Sequence, residues 1–313
     1  MTASGISDFP PIDDAWFLTG PTASGKTSVG VSLARTIGAE IVSLDSMAVY
    51  RGMDIGTAKP TEAERMGVPH HLIDLVEPSE DFSVAEYLTA AHACAAEIRS
   101  RGREVLFVGG TPLYLKALLR GLTSGPEADA ELRQRLQAEA DESGPQPLHA
   151  RLAEIDPGAA AKIHPHDARR IIRALEVYEA TGQPISASQE HFQNASQAAT
   201  KRVFVLDWPR ATLHLRINAR VDAMFAAGLI DEVRRLRKTA GGFGRTAAQA
   251  VGYREVQCYL NGECDLSTAI ERTKARTRQF ARRQLIWFRA LPECRWVPMG
   301  DPLDAGRVAR EML

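Results

Sequence analysis

The sequence predicts an α/β fold in which a parallel sheet flanked by helices is interrupted by an inserted all-helical lobe. Three observations carry that expectation. Strand and helix signals alternate up to about residue 120. A glycine-rich loop, Gly20-Pro21-Thr22-Ala23-Ser24-Gly25-Lys26-Thr27, lies between an apolar run and an apolar-periodic segment. Strand signals then vanish from residue 125 to about 200 and return at Val203-Phe-Val-Leu-Asp-Trp208. With 313 residues, 44% hydrophobic and 25% charged, the chain can bury a sizeable core and still carry such an insertion.

The elements follow in order. Ala15-Trp16-Phe17-Leu18 reads as a buried strand, and a helix runs from the glycine-rich loop to about Ile37. Between them the glycines let successive backbone N–H groups curl toward an anion, Lys26 adds a mobile positive charge, and the Thr27 hydroxyl can hold a magnesium ion. The following helix points its positive dipole end at the same place. Because a strand precedes the loop and a helix follows it, the stretch reads as a phosphate-binding loop and the sheet as P-loop NTPase-like. Glu40–Asp45 is a second buried strand with Asp45 at its carboxyl end. Next comes a helix near Val84–Arg101, whose Val84, Tyr87, Leu88, Ala91, Cys94, Ala95 and Ile98 form one apolar stripe. Val105–Val108 is a strand ending in Gly109-Gly110-Thr111, and Pro112–Arg120 is a helix with proline acceptably in its first turn. Three strand ends thus present Ser24 with Lys26, Asp45 and Thr111, on the rim where open α/β sheets bind ligands.

The core is expected to comprise residues 13–124 and 201–313. The lobe spans 125–200, punctuated by Gly125-Pro126, Gly144-Pro145, Asp156-Pro157 and Gly182-Gln183-Pro184. After Val203–Trp208, helices are expected near Thr212–Ala227, Ile230–Lys238 and Leu266–Arg289.

Composition excludes several classes. No apolar run approaches the length needed to cross a bilayer, and the polar start is unlike a secretory leader. Cys94, Cys258, Cys264 and Cys294 show no C-x-x-C pair, so neither a disulfide framework nor a zinc site is suggested. The expectation is a cytoplasmic, monomeric protein with no membrane partner. Its formal charge of −1 hides an asymmetry: residues 201–290 hold eighteen Lys/Arg against eight Asp/Glu, and residues 1–200 hold seventeen against twenty-seven. The basic stretch suits a polyanion such as nucleic acid or is an ordinary solvated surface.

Among candidate chemical groups, Asp45 and Asp207 are the acids that end apolar strands, and Asp45 is favoured because it shares the rim with the loop; a turn carboxylate is its bland alternative. Tyr50-Arg51-Gly52-Met53-Asp54-Ile55-Gly56-Thr57-Ala58-Lys59-Pro60 is a glycine-punctuated loop offering Arg51 and Lys59 to anions, or a plain surface turn. His70-His71 are packing or hydrogen-bonding residues, since neighbours on a strand face opposite ways and do not share one metal. In the lobe, Asp167 can cap a helix whose Ile171, Leu175 and Tyr178 face a core, leaving Arg169 and Arg173 for solvent or for phosphates. Arg272, Arg276 and Arg283 recur near one face of the last long helix and suit a nucleic-acid backbone.

Taken together, the phosphate loop, Asp45-Ser46, Tyr50–Pro60, Gly109-Gly110-Thr111 with Leu113-Tyr114, Arg170-Ile-Ile-Arg-Ala-Leu-Glu-Val177 and Val251-Gly-Tyr-Arg254 resemble the bacterial tRNA dimethylallyltransferases, also known as tRNA isopentenyltransferases. The matches run in order from about residue 16 to 290, and the Tyr50–Pro60 stretch is more diagnostic than the phosphate loop. The resemblance implies that the loop (Gly20, Pro21, Thr22, Ala23, Ser24, Gly25, Lys26, Thr27) holds the diphosphate of dimethylallyl diphosphate, with Mg2+ on Thr27. The prenyl group would pass to N6 of adenine at position 37 in the anticodon loop of tRNAs that read codons beginning with U. Asp45 would be the general base, Arg220 would stabilise the leaving diphosphate, and Thr111 would contact the target nucleotide. Contacts to the anticodon stem-loop are implied for Asp45, Ser46, Met47, Ala48 and Thr111, for Arg133, Arg169, Arg170, Ile171, Ile172 and Arg173, and for Gln249, Ala250, Val251, Gly252, Tyr253 and Arg254. The helical lobe would grip the stem. Met47-Ala48 departs from the Arg-Gln commonly found after Asp-Ser, and no zinc-finger extension like that of eukaryotic relatives is expected. Two other classes remain in view: a nucleoside or small-molecule kinase, which would bind and consume ATP on the same loop, and a non-catalytic RNA-binding switch.

Overall fold

The computed structural model describes residues 8–123, 125–126, 129–187 and 202–313. Among these are eight strands: β1 (Asp8–Phe9), β2 (Trp16–Thr19), β3 (Ala39–Ser43), β4 (His70–His71), β5 (Glu104–Gly109), β6 (Leu122–Thr123), β7 (Val203–Asp207) and β8 (Arg295–Pro298). The chain divides into two compact units, one of Ile12–Lys116 with Ala198–Leu313, the other of Met1–Pro11 with Ala117–Gln197.

The larger unit is built on a six-stranded sheet in the order β4-β3-β5-β2-β7-β8, parallel throughout. Its central strands are short and nearly all apolar, as strands covered on both faces must be. Phe17, Leu18, Leu106 and Phe107 are wholly buried, and the Phe17 and Phe107 rings stack at 5.1 Å. The helix Lys26–Ile37 follows β2 directly, bounded by Gly25 and Gly38, both in the left-handed region at φ +89° and +71°. A capping box of Ser83 and Glu86 starts the helix Val84–Ser100. This unit also holds the helices Arg210–Ala226, Leu229–Leu236, Tyr253–Leu260 and Leu266–Arg289, and the short helices Glu62–Arg65 and Ala305–Arg310. Two apolar cores result. One joins β2, β5 and β7 to the Lys26–Ile37 helix and the chain end; the other gathers Val49, Tyr50 and Met53 with Leu229, Val233, Tyr253 and Val256.

Where the sequence promised only helices after Trp208, the structure adds β8, paired with β7. Arg295 and Pro298 of β8 are exposed and Val297 buried, the pattern of an edge strand, where proline costs no ladder bond. In the smaller unit every regular element within residues 129–187 is a helix: Ala130–Ser143, Gln146–Ile155, Pro157–Ala160 and Ala168–Thr181. Asp129, Asp156 and Asp167 cap three of their N-termini through side-chain oxygens. Leu136, Leu148, Leu152, Ile171 and Leu175 form the core of this unit. The antiparallel pair β1–β6 also belongs to it, two residues per strand being too short to signal in sequence. Residues 188–200 of the expected lobe, and Lys201 where the core was expected to resume, lie outside the described residues. No described helix is long and apolar enough to cross a membrane.

Candidate active site

The carboxyl ends of β2, β3 and β5 open into a cleft of about 460 Å³, within the range of small-molecule sites. Its walls come from the larger unit: Thr22–Thr27, Asp45–Ala48, Gly109–Thr111, Arg220 and residues of the Leu266–Arg289 helix.

The phosphate loop is held through its backbone by side chains far away in sequence. Arg216 Nε donates to the Ala23 carbonyl at 3.0 Å while its guanidinium lies 4.3 Å over the Trp208 ring. Trp208 Nε1 donates to the Ser24 carbonyl at 2.9 Å, and the Thr22 N–H donates to Gln284 Oε1 at 2.9 Å. The first-turn amides of the helix that starts at Lys26 have no intrahelical acceptor and face the loop's concavity end-on, an anion site by construction. Ser24 Oγ and Arg220 Nε are buried with no hydrogen-bond partner among the described residues. Two polar atoms left in this way beside one loop are what an incoming oxyanion would satisfy.

Asp45 is the one carboxylate among the cleft-lining residues, against Lys26, Lys59, Arg220 and Arg283. Lys26 Nζ donates to the Gly20 and Pro21 carbonyls at 3.0 and 2.8 Å. Burial, and then the neighbouring Arg220 charge, push its pKa down to about 7, with Asp45 acting the other way. Arg220, one helical turn after Arg216, is lowered by burial and supported by Asp45. Asp45 Oδ1 accepts the Met47 N–H at 2.8 Å, so the turn role and the cleft position coexist in one residue. Thr111 Oγ1 accepts the Ser46 N–H at 3.0 Å, tying the end of β5 to the segment after β3. Gly109 is obligatory there, since a Cβ would lie 2.1 Å from the Leu44 carbonyl oxygen.

The Tyr50–Pro60 loop is shaped by a carboxylate far away in sequence. Glu232, 2% exposed, accepts the N–H groups of Asp54, Ile55 and Gly56 at 3.1, 2.8 and 3.3 Å and the Tyr253 hydroxyl at 2.5 Å. Gly56 packs on Tyr253, and a Cβ would sit 2.3 Å from that ring. Lys59 is buried and committed within this segment, whereas the Arg51 side chain stays half exposed. Lys59 Nζ is spent on the Tyr50 carbonyl, Asp54 and Asp74, and Arg51 pairs with Glu77 at 3.1 Å. Met47, Ala48, Ile73, Met224, Val251 and Phe280 give the cleft an apolar stretch.

The other sequence candidates divide sharply. Gln249, Ala250 and Val251 line the cleft, whereas Gly252 and Tyr253 are buried and Arg254 is exposed. Asp207 ends β7 but does not line the cleft, which leaves Asp45 as the acid of the rim. In the smaller unit, Arg169 and Arg170 are exposed, but Ile171 and Ile172 point into the helical core and have no side chain to offer RNA. Arg133 and Arg173 both pair with the fully buried Glu176, at 2.9 and 3.0 Å, because a buried carboxylate needs its counter-charges. On the last long helix Arg283 lines the cleft and Arg272 is exposed, but Arg276 is paired with buried Glu255 at 2.8 Å. His70 and His71 hold edge strand β4, bonding the Val68 carbonyl at 2.8 Å and Glu40 at 2.7 Å. Sequence reading missed Gln284, Arg216, Trp208 and Glu232. The stripe Thr273, Thr277, Ala281, Gln284, Phe288 carries helical spacing and was the available signal for Gln284.

Comparison with known proteins places this geometry. A family model described as IPP transferase matches residues 48–291, and one described as Isopentenyl transferase matches residues 14–80. The tRNA dimethylallyltransferase of Pelotomaculum thermopropionicum is 46% identical over 94% of this chain and 94% of its own length. Among solved structures, the tRNA isopentenylpyrophosphate transferase of Bacillus halodurans is 41% identical with a TM-score of 0.69, covering 96% of this chain and 95% of that one. A eukaryotic dimethylallyltransferase captured acting on tRNA is 28% identical with a TM-score of 0.75, over 91% of this chain and 73% of its own. The chain, whose glycine-rich loop shares its cleft with the strand-end carboxylate Asp45, belongs to the IPP transferase family.

Proposed function

We propose that this chain transfers the dimethylallyl group of dimethylallyl diphosphate to N6 of adenine 37 in the anticodon loop of tRNAs reading codons that begin with U. The observation that carries the proposal is a single cleft in which the phosphate loop, Arg220, Asp45 and Thr111 meet beside an apolar stretch. Such a cleft suits a substrate with a charged head and a five-carbon tail.

The adenine N6 lone pair attacks the allylic carbon while the bond from that carbon to the diphosphate oxygen breaks. Negative charge grows on the departing diphosphate, where loop amides, Lys26 and Arg220 oppose it. The nitrogen becomes cationic and gives its proton to the Asp45 carboxylate, leaving neutral N6-prenyladenine and diphosphate. Thr111 and Ser46 would hold the base in place. An adenine inside a loop must leave its stack to reach such a cleft, and an anticodon loop allows this at little cost.

Thr27 is the residue that would hold Mg2+. Thr27 lines the cleft, and a hydroxyl oxygen is a donor that suits this hard ion. When present, that ion adds further neutralisation of the leaving diphosphate. We take the protein to act as a cytoplasmic monomer. The direct check is to incubate purified protein with labelled dimethylallyl diphosphate, Mg2+ and an anticodon stem-loop RNA, then to digest the RNA and locate the label.

A further inference from the structure

We infer that Gln284 is a positioning residue that locks the diphosphate loop to the Gly110–Thr111 turn, so that the two substrates' subsites keep one register. This inference rests on the diphosphate reading of the loop.

Gln284 lies on the Leu266–Arg289 helix, yet its side chain is 3% exposed. Its Oε1 accepts the Thr22 N–H at 2.9 Å and its Nε2 donates to the Gly110 carbonyl at 2.6 Å. A backbone N–H only donates and a carbonyl only accepts, so the amide has one orientation, and a neutral carboxamide is what satisfies both at once. The approach depends on glycine, because a Cβ at Gly110 would lie 2.5 Å from Gln284 Nε2. One buried amide therefore fixes Thr22, the third residue of the loop, against the turn carrying Thr111, and both sides line the same cleft. Without it the Thr22 amide is unpaired and free to swing, and the loop must be ordered by the ligand.

The test uses the full chain and inorganic pyrophosphate with Mg2+, without RNA, so that the prenyl group and the chemistry are absent. Gln284→Met keeps the volume and removes both bonds, and we expect pyrophosphate affinity to fall roughly tenfold. Affinity for the anticodon stem-loop should stay within about twofold, and the melting transition should remain cooperative. Gly110→Ala should weaken pyrophosphate comparably, but add little once Gln284→Ala has cleared the space. Wild-type affinity in Gln284→Met, an equal loss for RNA, or additive losses in the double variant would each overturn the assignment. Failure of the wild-type protein to bind pyrophosphate would instead overturn the diphosphate reading on which it stands.

Discussion

In the proposed reaction Asp45 would divide its two oxygens between structure and chemistry. Oδ1 accepts the Met47 N–H at 2.8 Å, and the other oxygen makes no hydrogen bond among the described residues. Asp45→Asn therefore preserves the turn and removes the proposed base. RNA affinity should be unchanged while turnover falls about 10²- to 10⁴-fold, a range set by general-base catalysis; rapid-quench turnover beside a binding titration checks it, and unchanged turnover would exclude Asp45 as the base. Lys26 supplies the pH test. Its pKa in the free chain is pushed down to about 7, so above that pH the amine is largely neutral. A bound diphosphate favours the charged form, so binding above pH 7 must take up a proton. Calorimetry of pyrophosphate binding at about pH 8, in buffers of different ionisation enthalpy, should show uptake approaching one proton. Lys26→Met should abolish that uptake. At this scale the sequence exposed the residues with their own motifs, Lys26, Thr27, Asp45 and Thr111. It hid Gln284, Arg216 and Trp208, whose roles exist only through contacts with residues far away along the chain.

The Tyr50–Pro60 segment illustrates the same point for an element. Its glycine punctuation and diagnostic character were visible in sequence, but its shape comes from the Glu232 carboxylate and the Tyr253 ring, nearly two hundred residues later. Glu232→Ala leaves three backbone N–H groups and a phenol without their acceptor. We expect a stability loss of roughly 3 kcal/mol, the order for a buried charge-assisted network, read from chemical denaturation. A loss below about 0.5 kcal/mol would mean that the loop is shaped by something else. The last long helix is a second case. Helical spacing grouped Arg272, Arg276 and Arg283 on one face, but Arg276 is committed to the buried Glu255. Arg276→Ala should therefore lower stability by orphaning a buried carboxylate, rather than report on RNA alone. Periodicity located the helix well and could not say which of its arginines was already paired.

For the molecule as a whole, the legible part was the alternation that makes the parallel sheet, because apolar runs and glycine breaks are local signals. Strands β4, β6 and β8 were less legible, since two- to four-residue edge strands take their definition from a neighbour rather than from their own pattern. The basic stretch 201–290, with eighteen Lys/Arg against eight Asp/Glu, has part of its charge consumed inside the fold. Cleft-lining Arg283 and exposed Arg254 are the better probes of a phosphate backbone. Arg254→Ala with Arg283→Ala should weaken anticodon stem-loop binding and lower the slope of log affinity against log salt by about one per arginine lost. An unaltered slope would put both outside the RNA footprint. The central claim is that the phosphate loop serves a departing prenyl diphosphate and not a nucleoside triphosphate. Its most direct test is single-turnover reaction of labelled dimethylallyl diphosphate with anticodon stem-loop RNA, Mg2+ and no ATP. We expect label on N6 of adenine 37 with one diphosphate released per transfer; unlabelled adenine, with turnover appearing only when ATP is added and hydrolysed, would contradict the claim.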